Sequence, residues 1–330
     1  MKKQIYLLLI VFVTFILPSK GQFYDVGVML GASNYMGELS NQELNGNHFH
    51  FATGVMGRYN YSKRISFSGH LYYGKISGND GDHASKYWTT RNLSFQSNIY
   101  EIGIQNEINL TPLAFREGKY VAPYLFVGLS GFYFNPKAEY KGNMVELQPL
   151  GTEGQENIFS SMKKYKKVGP AIPFGGGIRF MVTEKVNLSF EMGMRKTVTD
   201  YLDDVSTSYP NIEFMSSLDP VSSSLSYRAP EIDPDAVSNP VGTKRGNPSN
   251  QDWLFFGGIT VSINLTDKYG LEWDNKYRKF YNKLGHGPEP KTYKGGKKRK
   301  KKIRKSKKKK VNKKHQLSKE EKRLREIYGE

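Results

Sequence analysis

Residues 100–110 read YEIGIQNEINL, with Tyr100, Ile102, Ile104, Ile108 and Leu110 alternating with Glu101, Gly103, Gln105, Glu107 and Asn109. Successive side chains of a strand point to opposite faces, so the segment is oily on one side and polar on the other. A run of about 9 to 11 residues patterned this way is what a tilted strand needs to cross a bilayer.

Seven further segments extend the pattern. Residues 23–32 set Tyr24, Val26, Val28 and Leu30 against Asp25, Gly27 and Met29, and residues 51–61 set Phe51, Val55, Tyr59 and Tyr61 against Gly54, Arg58 and Asn60. In 65–74, Ile65, Phe67, Leu71 and Tyr73 oppose Ser66, Ser68 and His70. Residues 120–134 are apolar on both faces and show no clear facing. In 173–182, Phe174, Ile178, Phe180 and Val182 oppose Gly175, Gly177 and Arg179. In 186–195, Val186, Leu188, Phe190, Met192 and Met194 oppose Asn187, Ser189, Glu191, Gly193 and Arg195. The last segment has Trp253, Phe255, Ile259, Val261 and Ile263 as its apolar face.

The connections alternate in length: 33–50 long, 62–64 short, 75–94 long, 111–119 shorter, 135–172 long, 183–185 short, about 197–251 long. Outer-membrane barrels have short periplasmic turns and long outer loops, and an even strand count with both termini periplasmic gives this order. The expectation is an all-β chain, an eight-stranded antiparallel transmembrane outer-membrane β-barrel, with a basic, partly helical or disordered C-terminal periplasmic tail. A soluble eight-stranded calycin or β-sandwich is the alternative, and loops this asymmetric suit it less.

Eight strands leave a lumen wide enough only for side chains. The inward faces carry Asp25, Glu101, Glu107 and Glu191 with Arg58, Arg179, Arg195 and His70, an expected ion-paired plug, because an unpartnered buried charge costs several kcal/mol. The rival use of these residues is a proton- or ion-conducting path. Gly103, Gly177 and Gly193 are expected to face the lumen and make room for neighbouring Arg and Glu side chains.

The ends of the chain differ from its body. Lys2 and Lys3 precede the apolar run 5–17, with Ser19 and Gly21 at three and one positions before Gln22, which reads as a secretory signal peptide over 1–21. Zero Cys removes disulfides, thiol nucleophiles and zinc-thiolate sites. Residues 266–330 hold 25 Lys+Arg against 8 Asp+Glu, which is +17 of the chain's +18, so the barrel, residues 22–265, is nearly balanced. A nucleic-acid-binding fold is therefore not indicated, and the leader places the tail where no physiological nucleic acid is expected.

Within that tail, Trp273, Tyr277, Phe280 and Tyr281 fall at helical spacing in an amphipathic segment of about 271–284, suited to a membrane surface or a partner. The polybasic run 297–314 includes Lys297, Lys298, Arg299, Lys300, Lys301, Lys302, Arg304 and Lys305, offered as a binding surface against the plainer reading of a solvated chain. A capping-box pattern, Ser318 with Glu321, opens a short helix over about 318–328.

Signals for chemistry are sparse, and no catalytic, cofactor or metal site is assigned. His48, His50, His83, His286 and His315 lie in loops or the tail, without recognisable His–Ser spacing. Asp200, Asp203 and Asp204 could hold a divalent cation through carboxylate oxygens, but their spacing is not that of an EF-hand, and a solvated acidic loop is the preferred reading.

Eight strings add a resemblance: GASNYMGEL (31–39), GKISGND (74–80), RNLSFQSN (91–98), APYLFVGLSGFYFNP (122–136), LQPLGTEGQ (147–155), IPFGGGIRF (172–180), RKTVTDYLDDVSTSYP (195–210) and RGNPSNQDWLFFGGITVSI (245–263). In order, across about residues 23–265, they resemble the PorG-like family of outer-membrane β-barrels in Bacteroidota. The resemblance implies a role in the type IX (Por) protein secretion system, which also supports gliding in some members. It implies association with a periplasmic ring made of a lipoprotein and its partner subunit. The family lends no catalytic residues, its loop strings reading as structural or contact motifs, and members commonly end soon after the last strand, whereas this chain continues.

The leading expectation is a non-enzymatic outer-membrane component that anchors or aligns this machinery, in contact with outer-membrane lipid and the ring, with the cell wall as a further candidate partner. An outer-membrane lipid-modifying enzyme, or a passive barrel linking membrane and cell wall, are the alternatives.

Overall fold

The computed structural model describes residues 23–40, 43–114, 118–157, 162–183 and 185–265. Its strands are β1 (Phe23–Met36), β2 (His50–Asn60), β3 (Ile65–Asn79), β4 (Ser94–Asn109), β5 (Val121–Tyr133), the short pair β6 (Lys137–Tyr140) and β7 (Asn143–Glu146), β8 (Val168–Met181), β9 (Val186–Thr197) and β10 (Trp253–Leu265). Eight of them pair antiparallel in the order β1-β2-β3-β4-β5-β8-β9-β10, and β10 returns to β1, closing an eight-stranded barrel. No sheet edge of the ring is left open, which is the condition for a sheet to stand in lipid.

Each alternating segment faces as its pattern requires. Tyr24, Val26, Val28 and Leu30 of β1, Ile102, Ile104 and Ile108 of β4 and Leu110 just after it are exposed on the outside, while Asp25, Met29, Glu101, Gln105 and Glu107 are buried inside. Ile102 is 64% exposed, an uncovered apolar side chain that makes sense only against lipid. From Tyr100 to Leu110, at about 3.3 Å per residue and a tilt of about 40°, this apolar column is about 25 Å tall. Aromatic girdles bound it: Tyr73, Tyr100 and Tyr133 stand side by side at centroid separations of 5.2 and 6.2 Å at one end. Tyr24 and Tyr59, 5.2 Å apart, mark the other. The crossing is by strands, and no helix among the described residues is long and apolar enough for it.

β5 acquires its facing from closure. Val121, Leu125, Val127 and Leu129 point to lipid, and Tyr124, Phe126 and Phe132 point inward. Both faces are apolar because its inward face is aromatic.

Several strands run further than the alternation suggested, to Met36, Asn79 and back to Ser94 and Val168. Beyond the tyrosine girdle the outward positions become polar (Lys75, Ser77, Asn79, Gln96, Asn98) while inward ones turn apolar (Ile76, Phe95, Ile99). The barrel wall thus rises above the bilayer and closes over a dry core that also takes Leu39, Leu93, Leu147, Leu202, Val205 and Leu225 from the long connections. Those connections form a cap carrying short helices, among them Ile212–Leu218 and Pro220–Ser226. The opposite end has short turns, and both barrel termini emerge there.

Candidate functional site

The lumen brings together the charged residues of the inward faces. Arg58 donates to Asp25 at 2.8 Å and to Glu107 at 2.8 and 3.1 Å, and Arg179 donates to the same Glu107. Ser68 donates to Glu107 at 2.7 Å and Asn60 to Asp25 at 2.9 Å, so the carboxylate oxygens are taken up. A second group sits nearer the cap: Glu101 receives Arg195 at 3.2 Å and faces His70 Nε2 at 2.7 Å. Glu191 differs from the expected ion pair, since among the described residues it has no basic partner within ion-pair distance and accepts instead from the Tyr124 hydroxyl at 2.7 Å. Arg179 lies over the Tyr124 ring and Arg195 over Phe256, which fills the bore between the charges.

The lumen glycines serve rings more than charges. A Cβ on Gly103 would lie 2.7 Å from the His70 ring, on Gly177 2.8 Å from the Tyr124 ring and on Gly193 2.5 Å from Phe126, with the Arg195 guanidinium at 2.9 Å from the last. The expectation that they clear space for Arg and Glu is corrected accordingly, Arg195 being the one charged neighbour that fits it.

The cap holds a second polar network. Arg91 grips Asp80 through two bonds of 2.6 Å and donates with its remaining nitrogen to the Arg245 carbonyl at 2.6 Å. Arg245 in turn pairs with Glu153 at 3.1 Å. Glu153 also receives the Ser206 and Thr207 amides at 2.8 and 3.0 Å, the Thr207 hydroxyl at 2.6 Å and the Tyr201 hydroxyl at 3.2 Å. Thr152 and Tyr165 donate to Asp204. Gly151 and Gly154, at φ of 61° and 80°, let the LGTEG turn reverse so that Thr152 and Glu153 point into this network.

The stretch expected to be a solvated acidic loop is instead interior: Asp200, Leu202, Asp203, Asp204 and Val205 are all buried. Its neighbours come from far along the chain. Asp252 ends the last long connection and Glu38 follows β1, so β9, β10 and β1, adjacent in the ring, carry Asp200, Asp252 and Glu38 at their cap ends. Tyr35 donates to Asp203 at 2.5 Å and to Asp252 at 3.2 Å, and the Asn247 amide donates to Glu38 at 3.0 Å. Burial, with repulsion from Asp200, pushes Glu38 up to about 7. Burial pushes Asp200 up to about 8, and Asp203 and Asp252 well above the carboxylate range.

A third cluster lies on the outside of the wall, above the tyrosine girdle. His48 Nδ1 meets the Ser77 hydroxyl at 2.6 Å, its Nε2 meets Asp82, and His50 Nε2 reaches the same hydroxyl at 2.7 Å. Chain spacing did not show this Ser–His–Asp contact, because Ser77 comes from β3 and both histidines from the start of β2 or just before it.

A family described as "Domain of unknown function (DUF6089)" matches residues 2–219, more than half of the chain. The chain belongs to this family. No curated protein matches it. Among solved structures, the N-terminal β-barrel domain of Pseudomonas aeruginosa OprF is 10% identical, covering 73% of this chain and 97% of that one at a TM-score of 0.30. Neisserial surface protein A is 11% identical, covering 74% and 97% at 0.33. Ail, the attachment invasion locus protein of Yersinia pestis, is 8% identical, covering 74% and 97% at 0.33. The closed strand order and the apolar exterior of this DUF6089 chain establish the outer-membrane barrel without them.

Trp273, Tyr277, Phe280, Tyr281 and the basic residues Lys297 to Lys305 lie outside the described residues, as do the leader and the whole tail. Sequence reading missed Glu38, Asp80, Arg91, Glu153, Arg245 and Asp252 as one assembly. The signal available was that each sits inside one of the eight strings.

Proposed function

We propose that this chain is a non-enzymatic outer-membrane component of the type IX secretion machinery, anchoring or aligning the periplasmic ring of lipoprotein and partner subunit, with its basic tail reaching into the periplasm. The observation that carries this reading is that six of the strings resembling the PorG-like family meet in one network. Glu38, Asp80, Arg91, Glu153, Thr207, Arg245 and Asn247, one or more from each string, are tied to one another across the cap. What the strings encode together is a rigid cap on a filled barrel, a construction suited to holding a position in the membrane. Buried, mutually hydrogen-bonded groups of this kind rigidify a surface.

Deletion should abolish export of type IX substrates while leaving lipid A unchanged, and affinity purification from solubilised outer membrane should recover the ring subunits. Retained secretion overturns the proposal. One contact favours a second reading: His48 stands between Ser77 and Asp82 in the Ser–His–Asp order of a hydrolase triad, with its two ring nitrogens exchanged, Nδ1 on the serine and Nε2 on the aspartate. Lipid A from a Ser77→Ala strain separates the two, since the scaffold reading requires an unaltered acylation pattern.

A further inference from the structure

In the lumen Asp25, Glu101 and Glu107 have basic partners and Glu191 a tyrosine hydroxyl; under the cap the carboxylates divide into two sets. Asp80, Glu153 and Asp204 each hold an arginine. Among the described residues, Glu38, Asp200, Asp203 and Asp252 form no ion pair. Arg91, which bears on Glu38 and Asp203 from a distance, is committed to Asp80.

The hydrogen bonds are also incomplete. Asp252 receives Tyr35 and the Leu202 amide, and Asp203 receives Tyr35 and the Val205 amide. Asp200, 7% exposed, accepts no hydrogen bond of normal geometry at either oxygen, the Ser206 hydroxyl acting only as a weak neighbour. Glu38, 6% exposed, leaves Oε2 without a donor. Unsatisfied, uncompensated carboxylates of this kind are costly to bury. One oxygen from each of Glu38, Asp200 and Asp252 lies within 4.8 Å of the others. Three oxygens no more than 4.8 Å apart all lie within about 2.8 Å of a common point, so a few tenths of an ångström of side-chain closure brings each to the roughly 2.3–2.6 Å of a Ca²⁺–oxygen contact. Gly37 keeps the place clear, since a Cβ there would fall 2.1 Å from Asp252 Oδ1.

We propose that Glu38, Asp200 and Asp252 bind one hard divalent cation, Ca²⁺ by preference, which clamps the cap ends of β9, β10 and β1 and the Asp200–Val205 stretch. The donor set is all oxygen, which suits Ca²⁺, Mg²⁺ or Mn²⁺ and not a thiol- or imidazole-seeking metal. Ca²⁺ takes six to eight oxygens in flexible geometry, which three carboxylates and added waters can supply, and extracellular sites bind it with dissociation constants on the order of 10⁻⁴ M. The site is independent of which partner the cap or tail engages.

The test uses the full chain in detergent, stripped with a chelator and titrated calorimetrically with Ca²⁺ alone, then with Mg²⁺ and Mn²⁺. The expected result is one saturable site per chain, with affinity weakened at least tenfold in both Asp200→Asn and Glu38→Gln. Asp235→Asn, at an exposed position, should bind as the parent does. Heat-modifiable gel mobility confirms that each variant is folded; Asp200→Asn puts a neutral side chain of the same size at this buried position and is expected to fold even without the ion. No binding of any of the three cations, or Ca²⁺ binding that persists undiminished in both variants, overturns the proposal.

Discussion

The lumen and the cap use the same side chains to opposite effect. In the lumen Asp25, Glu101 and Glu107 are matched by Arg58, Arg179, Arg195 and His70. Under the cap Glu38, Asp200, Asp203 and Asp252 crowd together without a matching base. A bore surrounded by lipid has no access to outside ions and must supply partners from its own chain, a tyrosine hydroxyl in the case of Glu191, whereas a site beyond the bilayer can leave charge to be supplied by solvent.

The lumen side of this contrast is broken most severely at Arg58. Arg58→Ala removes the ion-pair partner of Asp25 and one of the two arginines on Glu107, an expected loss of about 3 to 5 kcal/mol for a buried network deprived of one member. Urea unfolding of the refolded barrel measures it. A loss below 1 kcal/mol would mean that water, not Arg58, supports those carboxylates.

The next effect sharpens the distinction between the two faces of one strand. Ile104→Arg puts a cation against lipid at about 2 to 4 kcal/mol if near the midplane. Gln105→Arg enters a lumen already built from charges and should impair assembly less. Equal yields of heat-modifiable barrel from both would contradict the inside–outside assignment of β4.

A smaller effect distinguishes cap from bore. Chelation should destabilise the cap and leave the lumen untouched, and Ca²⁺ at tenfold above its dissociation constant should return about 1.4 kcal/mol. Limited proteolysis within 198–252 reads the cap, while gel mobility reads the barrel. Cleavage that is indifferent to chelator argues that the carboxylates are held by protons.

The smallest effect on stability belongs to the tail. Truncation after Leu265 leaves the contacts among residues 23–265 in place and should change barrel unfolding by less than about 0.5 kcal/mol. It should weaken retention of periplasmic partners in moderate salt, since attraction through a polybasic run is screened beyond a Debye length of about 8 Å at physiological ionic strength. Identical co-purification with and without the tail would make it a solvated appendage.

What the sequence determined by itself is what repeats locally. Alternation of Tyr100, Ile102 and Ile104 with Glu101, Gly103 and Gln105 is a two-residue period, legible in any window, and it assigned strands, facing and the inward charges without reference to other parts of the chain. Facing failed only at β5, where Tyr124 and Phe126 look inward and Leu125 and Val127 outward. Oil on both faces carries no period, and only closure of the ring tells lumen from lipid. The extension of the strands to Met36 and Asn79 was hidden for a related reason: above the bilayer the outer face turns polar while the inner face becomes a core, so the pattern inverts. The carboxylate cluster lay wholly beyond reach of sequence, because Glu38, Asp200 and Asp252 are remote in the chain and meet only because β1, which begins the barrel, pairs with β10, which ends it. Burial is likewise a property of the assembled cap, which is why an acidic stretch that reads as solvated in one dimension is interior in three.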